Sequence, residues 1–303
     1  MFEWNESVQQ MIDWIEENLT EDDISLLKMS EQIGYSPYYC STKFHEVVGV
    51  TLRAYVAGRR LAKATLEIRD TDKRLLDIAL KYGYSSQEAL TRAFVNSYGC
   101  TPAVYRRMPV PIVIPIKQVV FFPGQYRKKM MQGENGMAEM TVREAGVRVE
   151  HIPEHKYVGI WDEEAANYGE MWERHDCDKI TGIVDSMSHV SHPIVAAHTA
   201  GWFWKDGKRR YFYGFGVPVD YEGAIPEGFE IKSVPASDYL VFYHPPFDYL
   251  KDNEEVMGRV EELAWNFDPK TKGYEWNEEE CQDYQRHNPE ILGYEVLRPV
   301  KKL

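Results

Sequence analysis

Apolar positions recur at helical spacing through the first hundred or so residues, and they alternate or gather in short runs beyond residue 143. Val8, Met11, Ile12, Ile15 and Leu19 predict one helix over Ser7–Leu19. Thr20-Glu21-Asp22-Asp23 interrupts it, and Leu26, Leu27, Met29 and Ile33 start another. Leu52 to Ile68 reads as a single long helix, closed by Asp70-Thr71-Asp72 and followed by Leu75, Leu76, Ile78 and Ala79. Thr101-Pro102-Ala103-Val104-Tyr105-Arg106-Arg107 predicts a last short helix with Pro102 in its first turn.

Two segments about fifty residues apart repeat one another. Gly34-Tyr35-Ser36 leads to Phe44 and then Gly49-Val50-Thr51; Tyr82-Gly83-Tyr84-Ser85 leads to Phe94 and then Gly99-Cys100-Thr101. A glycine at a tight turn, with a serine beside it to cap the following helix, spells a helix-turn-helix. Two such units in about a hundred residues predict a tandem DNA reader, with Phe44, Phe94, Ile33, Leu90 and Ile78 in its core and Tyr35 and Tyr84 as packing residues.

Pro109, Pro111, Pro115 and Pro123 then punctuate a β-branched stretch, and residues 108–142 read as an interdomain connection with one extended strand lying on a domain. From residue 143 the pattern is α+β and internally duplicated. Val147–Trp161 and Phe229–Tyr243 each read as two strands around a proline turn, at Pro153 and Pro235. Helices are expected over Asn167–Met187 and Tyr249–Phe267, paired strands around Asp206-Gly207, and a last strand over Leu292–Pro299. The expected organisation is therefore an all-α domain over 1–107, a linker over 108–142 and an α+β domain over 143–303.

Charge sharpens this division. The chain carries −13 overall, yet residues 32–107 hold twelve Lys or Arg against six acids. Residues 1–31 hold nine acids and one base, and the rest is also acidic. Positive charge thus falls on the repeated segment, as phosphate binding requires. No apolar run approaches a membrane span, and the acids near Met1 are unlike a secretory leader, so a cytoplasmic location without membrane contact is expected. Cys40, Cys100, Cys177 and Cys281 are scattered, which argues against a zinc site or disulfide framework. No metal or cofactor is expected, and His189 and His192 read as loop histidines.

The repeated units, their long linking helix and the closing Gly-x-Thr-Pro-x-x-Tyr-Arg run resemble the DNA-binding domain of the AraC family of transcription regulators over about residues 6–107. The resemblance implies that the second helix of each unit enters the major groove of double-stranded promoter DNA. Pro37–Val47 would present Tyr38, Ser41, Thr42 and His45, and Ser86–Ser97 would present Gln87, Glu88, Thr91 and Arg92. Arg92 suits guanine and Gln87 adenine, whereas Lys43, Arg53, Arg59 and Arg106 suit phosphates. Thr42 stands where better-known members often carry Arg, so the second helix is expected to be the stronger base reader. Two units in one chain allow a monomer on DNA, and RNA polymerase is a further partner that the family implies.

The duplicated region, with its Val-x-x-Ile-Pro and Ile-x-x-Val-Pro elements and the run Gly293–Val300, resembles GyrI-like effector-binding domains, in the domain order of Rob-type regulators. A small aromatic or cationic effector is implied. Tyr157, Trp161, Trp202, Trp204, Tyr213, Tyr243, Trp265, Trp276 and Tyr284 are the candidate aromatic contacts. The resemblance places an acid shortly before the final strand, where Gln282 stands; Glu280 or Asp283 would replace it under a shifted register. Two other readings stay open: a hydrolase using Tyr157, Tyr239, Glu280 and Tyr284, and a module that sequesters a toxin or partner protein. No catalytic nucleophile with an adjacent base is evident, so an enzyme is not the first expectation.

Overall fold

The computed structural model describes residues 2–21, 24–121, 145–288 and 293–303. They fall into two compact units, one helical and one built on an antiparallel sheet.

The helical unit holds α1 (Phe2–Glu17), α2 (Leu26–Ile33), α3 (Pro37–Val48), α4 (Leu52–Asp70), α5 (Leu75–Lys81), α6 (Gln87–Tyr98) and α7 (Pro102–Arg107). Its apolar stripes bury themselves in two clusters. Val8, Met11, Ile12 and Ile15 meet Met29, Cys40, Phe44 and Tyr55 in the first. Ala64, Ile68, Ile78, Leu90, Phe94 and Tyr105 form the second. Helix α4 serves both, with Tyr55 near its start and Ala64 and Ile68 near its end. Its 19 residues span about 28 Å at 1.5 Å per residue, so one helix carries the two clusters side by side. Ile33, expected in the core, is only partly buried against the first cluster.

The expected linker is in part a component of this unit. Residues 108–121 form no helix or strand, but Ile112 and Ile114 are buried in the second cluster. Val120 donates its N–H to Gln9 Oε1 (2.8 Å), and its carbonyl accepts from the Asn5 amide (3.1 Å). Three prolines remove backbone donors along this stretch, which is why it lies on the unit without forming the expected strand. Residues 122–142 lie outside the described residues. The helical unit also takes in Asp178–Ser186. There the Ser186 hydroxyl accepts from the Ile112 N–H (3.1 Å), and Arg69 donates to the Asp185 and Ser186 carbonyls, each at 2.8 Å.

The second unit contains β1 (Gly146–Ile152), β2 (His155–Asp162), α8 (Tyr168–Arg174), β3 (Thr199–Lys205), β4 (Lys208–Val217), β5 (Glu230–Val234), β6 (Ser237–His244), α10 (Tyr249–Asn266), β7 (Tyr274–Trp276), β8 (Asp283–Asn288) and β9 (Gly293–Lys302); α9 (Cys177–Met187) falls between α8 and β3 in the chain, but its Asp178–Ser186 belongs to the helical unit. The strands are antiparallel in the order β1-β6-β9-β8-β3-β4-β2-β5, and β7 pairs with the end of β9. The strands around Pro153 and Pro235 do not pair with their own neighbours across the proline. Instead β1 pairs with β6 and β2 with β5, Ile152 opposite Ser237 and His155 opposite Val234. The register therefore continues through both bends, interrupted where a proline offers no N–H to the ladder. The β3–β4 hairpin turns on Asp206 (φ 51°) and Gly207 (φ 71°), the positive φ pair that a type I′ turn demands.

The expected helix over Asn167–Met187 is two helices. Asp162 secures the approach to the first: its Oδ1 accepts from the Glu164 and Ala165 N–H groups, and its Oδ2 accepts from Arg174 and bonds His175. Among the described residues, no helix is long and apolar enough to cross a membrane.

Candidate functional site

The Gly-Tyr-Ser and Gly-x-Thr repeats are helix caps. Gly34 ends α2 in the left-handed region (φ 79°), donating its N–H to Ser30. Ser36 opens α3 by accepting from the Tyr39 N–H (3.3 Å), and Pro37 takes the first turn, where a missing N–H costs nothing. Gly49 closes α3 at φ 81°, and Thr51 caps α4.

The second unit repeats this scheme with one shift. Gly83 (φ 75°) forms the turn, but the cap of α6 is Ser86, which accepts from the Ala89 N–H (3.2 Å). Ser85, which matches Ser36 in the sequence repeat, precedes the cap. Helix α6 accordingly starts at Gln87, and the expected helix over Ser86–Ser97 becomes Gln87–Tyr98. Thr101 then caps α7 as Thr51 caps α4.

On α3, Phe44 and Cys40 face inward and Tyr38 stands 81% exposed. Ser41, Thr42 and Lys43 are half-buried, and His45 is exposed. The Thr42 hydroxyl donates to the Tyr38 carbonyl (2.9 Å), while Lys43 pairs with Glu46 at 2.6 Å and sits over Trp4 and Tyr39. On α6, Leu90 and Phe94 face inward; Gln87, Glu88 and Arg92 are exposed and Thr91 is half-buried. The structure thus puts every candidate reader except Lys43, Ser41, Thr42 and Thr91 fully at the surface.

Two expected phosphate contacts are corrected. Arg59 is only 7% exposed, and its guanidinium grips Glu16 through two bonds (2.6 and 2.9 Å) and also donates to the Pro115 carbonyl. Arg106 donates to the Ile68 and Lys73 carbonyls (2.9 and 2.8 Å). Arg59 is spent inside the fold and the half-buried Arg106 on backbone carbonyls, uses that residue type alone does not reveal. Arg53 remains exposed on α4.

In the sheet unit a cavity of about 690 Å³ opens between α8, α10 and the strands β3, β4 and β8. Trp202, Tyr211, Tyr213, Tyr168 and Tyr249 line it, and Glu254 and Glu261 bring carboxylates. A directed chain of bonds ends at one of these acids. Tyr211 donates to Gln285 Oε1, Gln285 Nε2 donates to the Tyr294 hydroxyl (2.9 Å), and Tyr294 donates to Glu261 Oε1 (2.7 Å). Burial pushes the Glu261 carboxyl above its ordinary value, opposed by the Tyr294 bond and by Arg209.

Strand alternation sorts the expected effector contacts. Trp202 and Tyr213 line the cavity. Tyr157 and Tyr284 do not: they are fully buried in an aromatic cluster with Phe212 and Tyr239. His155 gives its Nδ1 proton to the Pro153 carbonyl (2.8 Å), so Nε2 accepts from the Tyr284 hydroxyl (2.6 Å). Trp161 and Tyr243 pack against this same cluster, below Lys232 and Arg148 respectively. Trp265 is flanked by Arg209 and Arg298, Trp276 lies 3.6 Å from Arg298, and Trp204 is 43% exposed.

The expected acid is also displaced. Glu280 is exposed before β8, and the Gln282 amide donates to Tyr284 (3.0 Å). Asp283 is buried but outside the cavity lining. Of the residues in the hydrolase reading, Tyr157, Tyr239 and Tyr284 do come together, in the closed aromatic cluster, whereas Glu280 is exposed at the surface. Glu261 stands on α10, far in sequence from the stretch before the final strand where the resemblance places an acid. Its signal was the spacing Glu254, Met257, Gly258, Glu261, which places one face of α10 along the cavity. Tyr211 was legible too, two residues before Tyr213 on one strand. Among the described residues no group of three or more His, Cys, Asp or Glu is placed to hold a metal ion.

A family model described as a helix-turn-helix domain matches residues 29–108. The transposon Tn10 TetD protein of Escherichia coli is 41% identical over 100 residues, 33% of this chain and 72% of that protein. The multiple antibiotic resistance protein MarA of Salmonella typhimurium is 34% identical over 100 residues, 33% of this chain and 78% of that protein. The right origin-binding protein of Escherichia coli K12 is 37% identical over 102 residues, and the match spans only 35% of its length. Two capped helix pairs on one linking helix, together with the TetD and MarA proteins matched over most of their length, give the assignment: the chain belongs to the AraC family of helix-turn-helix DNA-binding transcription regulators.

Proposed function

We propose that the chain is a one-component regulator in which α3 and α6 read neighbouring major grooves of promoter DNA and the sheet unit binds a small aromatic cation. The observation that carries the sensing half is Glu261, a carboxylate inside an aromatic-lined cavity. Aromatic faces attract cations, and a desolvated carboxylate strengthens that preference while disfavouring anions. Tyr294 holds the carboxylate as a hydrogen-bond acceptor, ready for a positive partner.

The reading of the sheet unit as a GyrI-like internal duplication is supported by its pairing scheme. Exchanging β1 with β5, β2 with β6, β3 with β8 and β4 with β9 turns every pairing on the main path into another one on it. The β3–β8 contact maps onto itself, with Ala200 opposite Gln285. The cavity lies over this central pair.

Tryptophan fluorescence titration of the full chain with tetraphenylphosphonium tests the sensing half. Saturable quenching that disappears in Glu261→Gln is expected. Equal quenching of both proteins, or none in either, contradicts the assignment of the cavity.

A further inference from the structure

Helix α4 joins the two helix-turn-helix units, but a single helix leaves the angle between them soft, because long helices bend. Residues 108–121 pack on both clusters, through Ile112 and Ile114 on the second and Val120 on the first, but apolar side chains do not fill the junction itself. A cavity of about 460 Å³ lies there, with Ile24 and Leu26 of the first unit and Tyr82 and Tyr84 of the second on its walls.

The Arg60 side chain crosses the gap. Arg60 leaves α4 and donates to the Leu19 carbonyl (2.9 Å) and the Glu21 carbonyl (2.7 Å), at the end of the chain segment that enters the first unit. Leu19 itself is buried in the first cluster. The other face of the guanidinium meets the turn of the second unit: a Cβ at Gly83 would stand 2.5 Å from Arg60 Nη1 and 2.9 Å from its Cζ. Gly83 therefore answers two demands, a left-handed backbone and a direct seat on the guanidinium.

We propose that Arg60 is a positioning residue that fixes the separation and angle of α3 and α6, and with them the half-site spacing that the chain accepts on DNA. This rests on the reading that both helices enter the duplex. A lysine at this position has one compact ammonium and no planar fork, so it cannot serve both carbonyls and the Gly83 turn in the same way. Base contacts stay with α3 and α6; Arg60 decides how far apart they fall.

The test uses the full chain and a duplex that the wild type selects from a random-sequence pool, re-made with one base pair inserted or removed between its two boxes. Wild type is expected to lose about tenfold or more in affinity on either change, the cost of a misplaced base contact. Arg60→Ala is expected to discriminate less than about threefold among the spacings, and Arg60→Lys to fall between. Gly83→Ala should relax the spacing preference in the wild-type background and add nothing to it in Arg60→Ala, while its backbone strain is read separately by thermal melting. A selected duplex on which wild type shows no spacing preference, or an Arg60→Ala variant that keeps the full preference, overturns the role of Arg60 alone. A wild-type chain that recovers no preferred sequence overturns that role together with the two-helix reading beneath it.

Discussion

Tyr294 donates its hydroxyl hydrogen to Glu261 Oε1 at 2.7 Å while accepting from Gln285. A hydroxyl has one proton to give, so the chain of bonds that begins at Tyr211 is directed and ends on the carboxylate. Burial raises the carboxyl pKa, and the sign of its effect follows: the ionised form is disfavoured in the empty fold, so this group's contribution to stability declines as pH rises through that raised value. Glu261→Gln should therefore leave thermal stability at neutral pH unchanged or higher, while weakening a bound aromatic cation by about tenfold or more. Wild-type cation affinity should also fall on acidification, as the carboxylate gains its proton. Melting curves and titrations across pH check both.

Arg59 and Glu16 form a paired, nearly buried contact between α4 and α1, with only 9% and 10% of their side chains exposed. Removing Arg59 leaves the Glu16 carboxylate without its counter-charge, held only by the Tyr55 hydroxyl (3.2 Å). Arg59→Ala should cost about 3 kcal/mol, read by chemical denaturation, and should melt the first cluster before the second.

Arg53 offers the contrast, since it is exposed on the same helix. Arg53→Ala should leave denaturation unchanged. It should weaken binding to all duplexes alike and lower the salt dependence by about one phosphate contact, measurable from affinity against salt concentration.

Glu67 accepts from Lys73, Lys81 and the Tyr82 hydroxyl. Burial alone would raise its pKa, but these three donors bring it from 4.5 to about 2. A depressed carboxylate stabilises above its unfolded value and loses that contribution as pH falls toward its folded one. Glu67→Gln should cost about 1 kcal/mol near pH 7, a figure kept small because both lysines reach into solvent. The difference from wild type should shrink as pH drops from about 4.5 toward 2, followed by denaturation at stepped pH.

The helical unit was legible because its signals are local. Gly34, Ser36, Gly49 and Thr51 act within four residues of where they stand, and their counterparts recur. The second unit departs from the repeat at one position, where Ser86 rather than Ser85 caps the helix. A direct check is available: Ser86→Ala should cost about 1 kcal/mol of stability and Ser85→Ala almost none. Arg59 and Arg106 were misread because their partners, Glu16 and the Ile68 carbonyl, are distant in sequence. In the sheet unit, elements were visible but faces were not. Tyr157 and Tyr284 share a residue type with Tyr213, yet strand parity and register send them to a closed cluster and Tyr213 to the cavity. The pairings of β2 with β4, β4 with β3 and β3 with β8 set those faces, through partners distant in sequence.

The most direct test of DNA reading by α3 and α6 is footprinting of the full chain on a duplex selected from a random pool, with wild type beside Gln87→Ala/Arg92→Ala. Wild type should protect two segments about one helical turn (~34 Å) apart on one face. The double variant should lose about a hundredfold in affinity, chiefly through the box that α6 reads. A single protected segment, or a double variant that binds as tightly as wild type, would contradict the assignment of these helices.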